Sequence, residues 1–506
     1  MRTIYKLIQI TAIFLLLGMA IGPAAMPVQA SVIHAQAELR QIASKQPAQT
    51  VSVIVQKAGK GSTAEETAKR LGGTVTQDLY IINAFTAEMT ANAAIELSRS
   101  EGIRWVSLDA PMQSAACAQC VDTSKLKSAY ISAIQADQAW NNSPYLQGNG
   151  IGVAVVDSGI NPNGDLYTNM GVNRLMANVS FNSDYNQNPS DGYGHGTIVS
   201  SIIGGDGSDS NGKYIGVAPM VNIINVKVSN DNGSATETDV IKGLQWVLDN
   251  KDKYNIRIVN MSLNSSVAVS YNNSPLDAAV EILWFNNIVV VVSAGNLGSG
   301  PIYPPANDPF VITVGATDDK GSRSLSDDSI ASFSAYGTTS DGFIKPDLVA
   351  PGKNIVGRLV NTNMGMAKAH PSNIISDKHF KMSGTSVSAP MVSGAVALLL
   401  QKDPTLTPDQ VKYRLMATAN KNWPGYDAAK AGAGYLDVYA AVKEDSTDSA
   451  NTAINASQLL WSGNQPVTWN SVSWNSVSWN SVSWNSVSWN SVSWNSVSWN
   501  SDYWDK

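Results

Sequence analysis

The stretch GVAVVDSG, residues 152–159, is an apolar run that ends in an aspartate, a serine and a glycine. Further runs of the same kind follow along the chain: VNIINVKV (221–228), IRIVNMSL (256–263), NIVVVVSAGN (287–296) and FVITVGATD (310–318). Runs that are apolar at nearly every position predict strands buried on both faces, as in a parallel sheet covered by helices. Between about residues 130 and 440 we therefore expect an α/β fold with a doubly wound, mostly parallel sheet and helices on both faces.

Polar residues at the ends of these runs and at the starts of helices are the candidate site residues, because ligands of such sheets bind beyond the carboxyl ends of the strands. Asp157 and Asn296 end two runs, His195 lies in GHGTIVSSIIGG (194–205), and Ser386 lies at the start of SGTSVSAPMVSGAVALLL (383–400). Each alone has a structural interpretation, since Asp and Asn form turns, a lone His is usually structural and Ser caps helices. Together they supply every group that an acyl-transfer site needs.

These motifs, together with GVAPMVNIINVKV (216–228), KPDLVAPG (345–352) and GTSVSAP (384–390), resemble those of the subtilisin-family serine peptidases and occur in that family's order. The resemblance implies a catalytic triad of Asp157, His195 and Ser386, with Asn296 in the oxyanion hole. It implies hydrolysis of peptide bonds through an acyl-enzyme, a chemistry that requires no cofactor. The alternative assignment is to the acid-acting serine-carboxyl peptidases of similar fold. These enzymes use a Glu base, so His195 in GHGT argues against this assignment.

The resemblance also implies that an extended polypeptide substrate pairs with two strand-like stretches, namely Gly233, Ser234 and Ala235 on one side and Ser262, Leu263 and Asn264 on the other. Where many relatives have Gly-Gly after MSL, this chain has Asn264 and Ser265. Their side chains either narrow or polarise the main specificity pocket, or they face solvent. The sequence therefore does not predict a preference for large apolar residues.

Two loops also depart from the family pattern. The stretch 204–216 carries Asp206, Asp209 and Asn211, whose oxygens suit structural calcium, although Asp and Asn turns need no metal. The stretch 353–382 is longer than in compact relatives. It is either a flap over the site or a solvated insertion.

Residues 1–30 contain Arg2 and Lys6, an apolar run and a final VQA, which predicts a secretory signal peptide cut after Ala30. A membrane anchor is the alternative interpretation of this segment. The localisation that follows is secreted, or extracellular and associated with the cell surface. The peptidase domain is expected to span residues 121–445.

Residues 31–120 predict a small α+β domain, with strands at VSVIVQK (51–57), AFTAEMT (84–90) and IRWVSL (103–108) and helices at TAEETAKRL (63–71) and ANAAIELSRS (91–100). By the same resemblance this domain is a propeptide that assists folding and inhibits the enzyme until self-cleavage near residues 110–130. A permanent accessory domain is the alternative. Cys117 and Cys120 lie near this junction as a lone C-x-x-C, which predicts a local disulfide after export.

Residues 446–506 predict a polar linker followed by a WNSVS repeat, in which tryptophans recur every five residues at Trp469, Trp474, Trp479, Trp484, Trp489, Trp494, Trp499 and Trp504. One interpretation is a solvated low-complexity tail. The other is a row of aromatic rings that stacks on sugars, binds the cell envelope or pairs with copies of itself.

Composition narrows the function class. The chain has 506 residues with 34 basic and 40 acidic side chains, so it lacks the basic excess expected of a nucleic-acid-binding protein. Charged residues make up 15%, against about 25% in an average protein, which suits an exported protein. The sequence predicts a secreted serine endopeptidase matured by self-cleavage. The alternative is a surface-binding protein attached by its Trp repeat, with an incidental or inactive peptidase domain.

Overall fold

The computed structural model describes residues 33–110, 120–167, 171–182, 188–461 and 497–498. The predicted signal peptide lies outside the described residues, as does the Trp repeat apart from residues 497–498. Contacts divide the chain into two compact units, residues 1–117 and 118–506. Among the described residues, no helix combines the length and apolar character needed to cross a membrane.

The first unit is a small α+β domain with its own apolar core. Its helices are α1 (Ala37–Lys45), α2 (Thr63–Arg70) and α3 (Ala91–Leu97), and its strands are β1 (Thr50–Lys57), β2 (Thr74–Leu79), β3 (Ala84–Thr90) and β4 (Ile103–Leu108). The strands form an antiparallel sheet in the order β2-β3-β1-β4. The three predicted strands and two predicted helices are confirmed. Helix α1 and strand β2 were not predicted, and β2 is a mostly exposed edge strand without an apolar alternation.

The second unit is built on one large sheet, whose strands are β5 (Gly152–Asp157), β6 (Leu175–Ser180), β7 (Asn222–Lys227), β9 (Ile256–Met261), β10 (Val289–Ser293), β11 (Ile312–Asp318), β12 (Ser329–Ile330) and β15 (Leu348–Pro351). Its order is β12-β11-β10-β9-β5-β7-β6, with β15 also paired to β11. Every pairing is parallel except that of β11 with β12. The short strands outside this sheet are β8 (Ser234–Ala235), β13 (Gly337–Thr338), β14 (Ile344–Lys345), β16 (Ile355–Arg358), β17 (Ile374–Ser376), β18 (His379–Met382) and β19 (Val497–Ser498).

Helices cover both faces of this sheet, as the sequence predicted. They are α4 (Ala129–Ala133), α5 (Ala136–Asn141), α6 (His195–Gly204), α7 (Glu237–Asn250), α8 (Pro275–Phe285), α9 (Gly365–Ala369), α10 (Thr385–Lys402), α11 (Pro408–Ala417), α12 (Ala428–Ala431) and α13 (Val438–Lys443). Helices α6 and α10 pack together, and α7 packs on α8. Helix α10 is buried along almost its whole length, which explains why its sequence is apolar on every side.

Strand β5 lies where the order of the sheet reverses. The chain passes from β5 through β6 and β7 on one side and then through β9, β10 and β11 on the other. In doubly wound sheets a crevice opens at such a reversal, outside the carboxyl ends of the strands. The carboxyl end of β5 is Asp157.

Candidate functional site

Three polar residues lie at the carboxyl edge of the sheet, and each contacts the start of an adjacent helix. Asp157 is the last residue of β5, Ser262 follows the end of β9, and Asn296 follows the end of β10. Because β5, β9 and β10 are neighbours and parallel, these ends lie side by side. The starts of α6 and α10 add His195 and Ser386, and both residues are fully buried.

Asp157 and His195 are in direct contact. The His195 ring nitrogen Nδ1 lies 2.8 Å from Asp157 Oδ1 and 3.0 Å from Oδ2, and both side chains are fully buried. The backbone at Gly196 lies close to the backbone at Gly159 and to Asp157. A Cβ on Gly196 would collide with the Gly159 carbonyl oxygen and lie 3.0 Å from Asp157 Oδ1. The glycine after His195 is therefore required by packing.

Asp191, which sequence reasoning missed, holds the segment that carries His195. Its Oδ1 accepts hydrogen bonds from Ser158 Oγ (2.9 Å) and from the Gly194 amide (2.7 Å). Its Oδ2 accepts from the Thr197 amide (2.9 Å) and Oγ1 (2.6 Å) in the first turn of α6. Burial raises the pKa of Asp191, and these hydrogen bonds oppose the rise. The sequence signal for this role is an aspartate shortly before the start of a helix. A carboxylate at that position can accept hydrogen bonds from the first backbone amides of the helix.

Asn296 is held against the start of helix α10. Its Oδ1 accepts hydrogen bonds from the Thr385 amide (2.8 Å) and from Thr385 Oγ1 (3.0 Å), and Thr385 Oγ1 also accepts from the Gly295 amide (3.0 Å). Asn296 Nδ2 is buried and has no hydrogen-bond partner among the described residues. The carboxamide is thus fixed by Thr385, the residue before Ser386, with its Nδ2 left as a donor. Thr385 is a second residue that the sequence did not single out.

Ser386 is fixed from the side of the sheet by Ser262. Pro390 lies inside helix α10 and has no N–H, so it cannot make the usual helical bond to the carbonyl oxygen four residues earlier, which is that of Ser386. Ser262 Oγ donates to this oxygen instead, at 2.8 Å. Asn260 Nδ2 donates to Ser262 Oγ (3.0 Å), and Asn260 Oδ1 accepts from Ser393 Oγ (2.8 Å). His195 and Ser386 thus lie at the starts of two helices, α6 and α10, that pack together.

Residues 148–435 match the sequence pattern of the subtilase family, peptidase family S8. The chain belongs to the subtilase family. It is 38% identical to the serine protease AprX of Bacillus subtilis (strain 168) over 368 residues, which cover 70% of this chain and 78% of that protein. It is 31% identical to subtilisin DY of Bacillus licheniformis over 317 residues, which cover 62% of this chain and 97% of that protein.

Among solved structures, a cold-adapted subtilisin-like serine proteinase matches with a TM-score of 0.45 and 30% identity, covering 59% of this chain and 93% of that one. The subtilase is a serine-type endopeptidase, and its substrates are peptides.

The two predicted substrate-binding stretches of the subtilase have different surroundings. Gly233 precedes β8, whose Ser234 and Ala235 pair antiparallel with Ser498 and Val497, so β8 accepts an extended chain along its edge. Leu263 and Asn264 follow Ser262 at the end of β9 and are buried. Asn264 Nδ2 donates to the Ser293 carbonyl oxygen (3.0 Å), and Ser265 Oγ donates to Glu237 Oε1 (2.6 Å). The alternative in which these two side chains face solvent is wrong.

The three candidate calcium ligands accept hydrogen bonds from other groups of the protein. Asp209 accepts hydrogen bonds from Arg358 Nε and Lys378 Nζ, each at 2.9 Å, and from the Gly164 amide. Although partial burial opposes it, these cations lower the pKa of Asp209 to about 2. Asp206 Oδ1 accepts from the Ser208 amide, and Asn211 Oδ1 from Lys125.

A carboxylate that is already neutralised by two cations does not fit a calcium ligand. The part of the chain that the structure describes contains no group of three or more His, Cys, Asp or Glu side chains that could hold a metal ion. Structural calcium elsewhere in the subtilase domain stays a prediction.

The long stretch 353–382 is not a solvated insertion. It forms the antiparallel sheet β16-β18-β17 together with helix α9, and β16 packs on α6. The amides of Gly365 and Met366 donate to the carbonyl oxygens of Gly192 and Tyr193, just before His195. The stretch therefore supports the segment that positions His195. Cys120 is disulfide-bonded. Cys117, its partner in the predicted local disulfide, lies outside the described residues.

Proposed function

We propose that this subtilase hydrolyses peptide bonds with Ser386 as nucleophile, His195 as general base and acid, Asp157 as the carboxylate that orients His195, and Asn296 as an oxyanion donor. The observation that carries the proposal is the buried contact of His195 Nδ1 with both carboxylate oxygens of Asp157. A chance contact of a histidine and an aspartate would not coincide with the strand reversal of the sheet.

The contact with Asp157 determines which ring nitrogen of His195 can act as the base. An ionised carboxylate only accepts hydrogen bonds, so in the neutral ring Nδ1 carries the proton and Nε2 is the unprotonated nitrogen that can accept one. Nε2 takes the proton from Ser386 Oγ as this oxygen attacks the peptide carbonyl carbon, and later gives the proton to the leaving amine. Asp157 stabilises the imidazolium that exists between these steps.

Two donors then face the oxygen that becomes negatively charged. Asn296 Nδ2 is one, and its orientation is set by the two bonds from Thr385 to its Oδ1. The other is the main-chain N–H of Ser386 in the first turn of α10, where the positive end of the helix dipole also favours an anion. Because both donors are positioned before the reaction, no reorganisation is needed when the charge develops.

Covalent labelling of Ser386 tests the proposal. A fluorophosphonate should modify Ser386 in the parent enzyme and leave Ser386→Ala unlabelled and inactive towards a peptide amide substrate. Serine side chains that share the buried environment, such as Ser393, provide the matched control, because Ser393→Ala should still be labelled. An unlabelled parent protein that binds surfaces through its Trp repeat would favour the alternative of an inactive peptidase domain.

The proposal includes export and maturation. Residues 1–30 direct secretion, and residues 31–120 inhibit the enzyme until self-cleavage near residues 110–130. This part of the proposal is supported by the compact α+β unit with its own core. Ser386→Ala should accumulate as a precursor in a protease-free host, and mass spectrometry of both termini of the secreted parent should find an N-terminus near this junction. Normal processing of Ser386→Ala would exclude self-cleavage.

For residues 446–506 we propose attachment of the enzyme to the cell envelope through the row of Trp rings. The supporting observation is the repeated, uncharged WNSVS sequence with its regularly recurring tryptophans, since aromatic rings can stack on sugars. Deletion of residues 460–506 should shift the enzyme from cells to the medium. Unchanged partitioning would contradict attachment and favour a solvated tail.

A further inference from the structure

Asn264 bridges the ends of two neighbouring strands beside the proposed oxyanion site. It lies three residues beyond the end of β9, and its Nδ2 donates a hydrogen bond of 3.0 Å to the carbonyl oxygen of Ser293, the last residue of β10. The residue is 8% exposed. Its carboxamide therefore fills space between the two strand ends that a glycine at this position would leave open.

The other end of the same carboxamide is an unsatisfied acceptor. Asn264 Oδ1 is buried and has no hydrogen-bond partner among the described residues. Because Nδ2 is held by the Ser293 carbonyl, the orientation of the amide group is set by its hydrogen bond. A buried acceptor without a partner costs free energy that a ligand donor can recover.

The neighbouring residue makes this arrangement rigid. Ser265 Oγ donates to Glu237 Oε1 (2.6 Å), and the Ser265 amide donates to the Pro304 carbonyl oxygen (2.7 Å). Both contacts are buried, and they anchor the segment that carries Asn264 on two sides. A ligand therefore meets a preorganised acceptor, which reduces the entropy lost on binding.

Asn264 Oδ1 is close to the place where the substrate carbonyl must lie. A β-carbon added to Gly295 would be 3.6 Å from Asn264 Oδ1, and Gly295 is adjacent to Asn296. The scissile carbonyl oxygen must come within hydrogen-bond distance of Asn296 Nδ2 if that group stabilises the oxyanion. The side chain of the same substrate residue branches from the neighbouring carbon atom and so reaches the space in front of Gly295.

We propose that Asn264 makes the enzyme selective for substrates whose residue on the amino side of the scissile bond is small and carries a hydrogen-bond donor, as serine and asparagine do. This inference rests on the proposed catalytic function. Two effects act together: the carboxamide excludes large aliphatic and aromatic side chains, and its Oδ1 accepts a hydrogen bond from the small donor. An alanine at this substrate position fits but leaves Oδ1 without a partner.

The test compares kcat/KM for peptide amides that differ only at this residue, namely Ser, Asn, Ala, Leu and Phe, using the mature enzyme with its active-site concentration fixed by fluorophosphonate titration. For the parent enzyme, Ser and Asn should exceed Ala, and should exceed Leu and Phe by at least about tenfold. Cleavage after Phe or Leu as fast as after Ser would overturn the proposal.

Three variants separate size from hydrogen bonding. Asn264→Gly should raise kcat/KM for Phe by about tenfold or more and lower it for Ser, because it opens the space and removes the acceptor. Asn264→Leu keeps the volume, so it should still reject Phe while the ratio of Ser to Ala falls to about one. If the glycine variant is not secreted, Asn264→Ala is used instead to test whether a smaller side chain raises kcat/KM for Phe. An unchanged substrate ranking in the folded size variant would contradict the inference.

The fluorophosphonate titration distinguishes failure of the proposed catalytic function from failure of the proposed role of Asn264. If the fluorophosphonate does not label Ser386, the proposed catalytic function fails. If Ser386 is labelled and the enzyme prefers apolar residues, only the role of Asn264 fails.

Discussion

Ser262 Oγ donates a 2.8 Å hydrogen bond to the carbonyl oxygen of Ser386, the oxygen that would accept the N–H of residue 390 in an uninterrupted helix. Residue 390 is proline, so it has no N–H to donate to this oxygen. The end of strand β9 is thereby tied to the first turn of helix α10, which carries Ser386. This bond connects the two elements across a sequence separation of 124 residues.

Ser262→Ala should destabilise the protein by about 1–3 kcal/mol, because it removes the side-chain donor to a buried carbonyl oxygen. Pro390→Ala restores an N–H in the helix, so the double variant should recover at least about 1 kcal/mol of that loss. Urea unfolding of the fluorophosphonate-inactivated proteins measures both effects. Equal free energies of unfolding for Ser262→Ala and the double variant would show that this hydrogen bond does not contribute to stability.

Asn296→Ala should lower kcat by about 10² to 10³ with little change in KM, a loss measured for an oxyanion donor in a subtilisin. Thr385→Val should lower kcat by about tenfold, because it removes one of the two hydrogen bonds that orient Asn296. Thr385→Ser keeps the hydroxyl group and serves as the matched control. Steady-state kinetics on a peptide amide give the result, and a loss in Thr385→Ser as large as in Thr385→Val would point to packing instead.

Asp157→Asn should lower kcat by about 10⁴, because the amide would present a donor to His195 Nδ1 and favour the wrong tautomer. The fold should persist, since Asn retains an oxygen that can accept the bond from the Ser158 amide. Circular dichroism checks the fold, and kcat is measured on the same preparation. A decrease of less than about tenfold would argue against Asp157 as the orienting carboxylate.

Asp165→Asn should stabilise the protein at alkaline pH. Burial, opposed by a hydrogen bond from the Asp209 amide and reinforced by the Asp206 and Asp209 carboxylates, raises the pKa of Asp165 to about 6. A carboxyl whose folded pKa is raised contributes stability that is complete below its ordinary pKa of 3.8 and is lost as the pH rises through about 6. The free energy of unfolding should therefore increase by roughly 2 kcal/mol in Asp165→Asn at about pH 8, and the gain should shrink at about pH 5.

Asp209→Asn is the control of opposite sign, since the pKa of Asp209 is lowered to about 2 by its cations. Its stabilising contribution is present above the ordinary pKa, so Asp209→Asn should destabilise the protein at both pH values. Thermal unfolding of Ser386→Ala carrying each substitution avoids self-digestion. A gain from Asp165→Asn that does not depend on pH would contradict the ionisation argument.

The core strands of both units were predictable because their signals are local. In β5, β9, β10 and β11 an apolar run ends in a turn-forming residue, and the run itself specifies burial on both faces. Edge strand β2 lacks such a pattern, because its pairing with β3 and not its own burial makes it a strand. The segment 353–382 was ambiguous for the same reason: its strands are short, and their role follows from packing on α6.

The sequence alone determined the fold class, the central strands of the sheet and the candidates Asp157, His195, Asn296 and Ser386, because residue type and position at an element's end can be read from a few neighbouring residues. Only the tertiary structure decided what those side chains contact. Asp191 beneath the His195 segment, Thr385 on Asn296, Ser262 on the Ser386 carbonyl and the buried carboxamide of Asn264 are hydrogen-bond relationships. Several join residues tens to more than a hundred positions apart, and such partners become neighbours only when the parallel sheet aligns its strand ends.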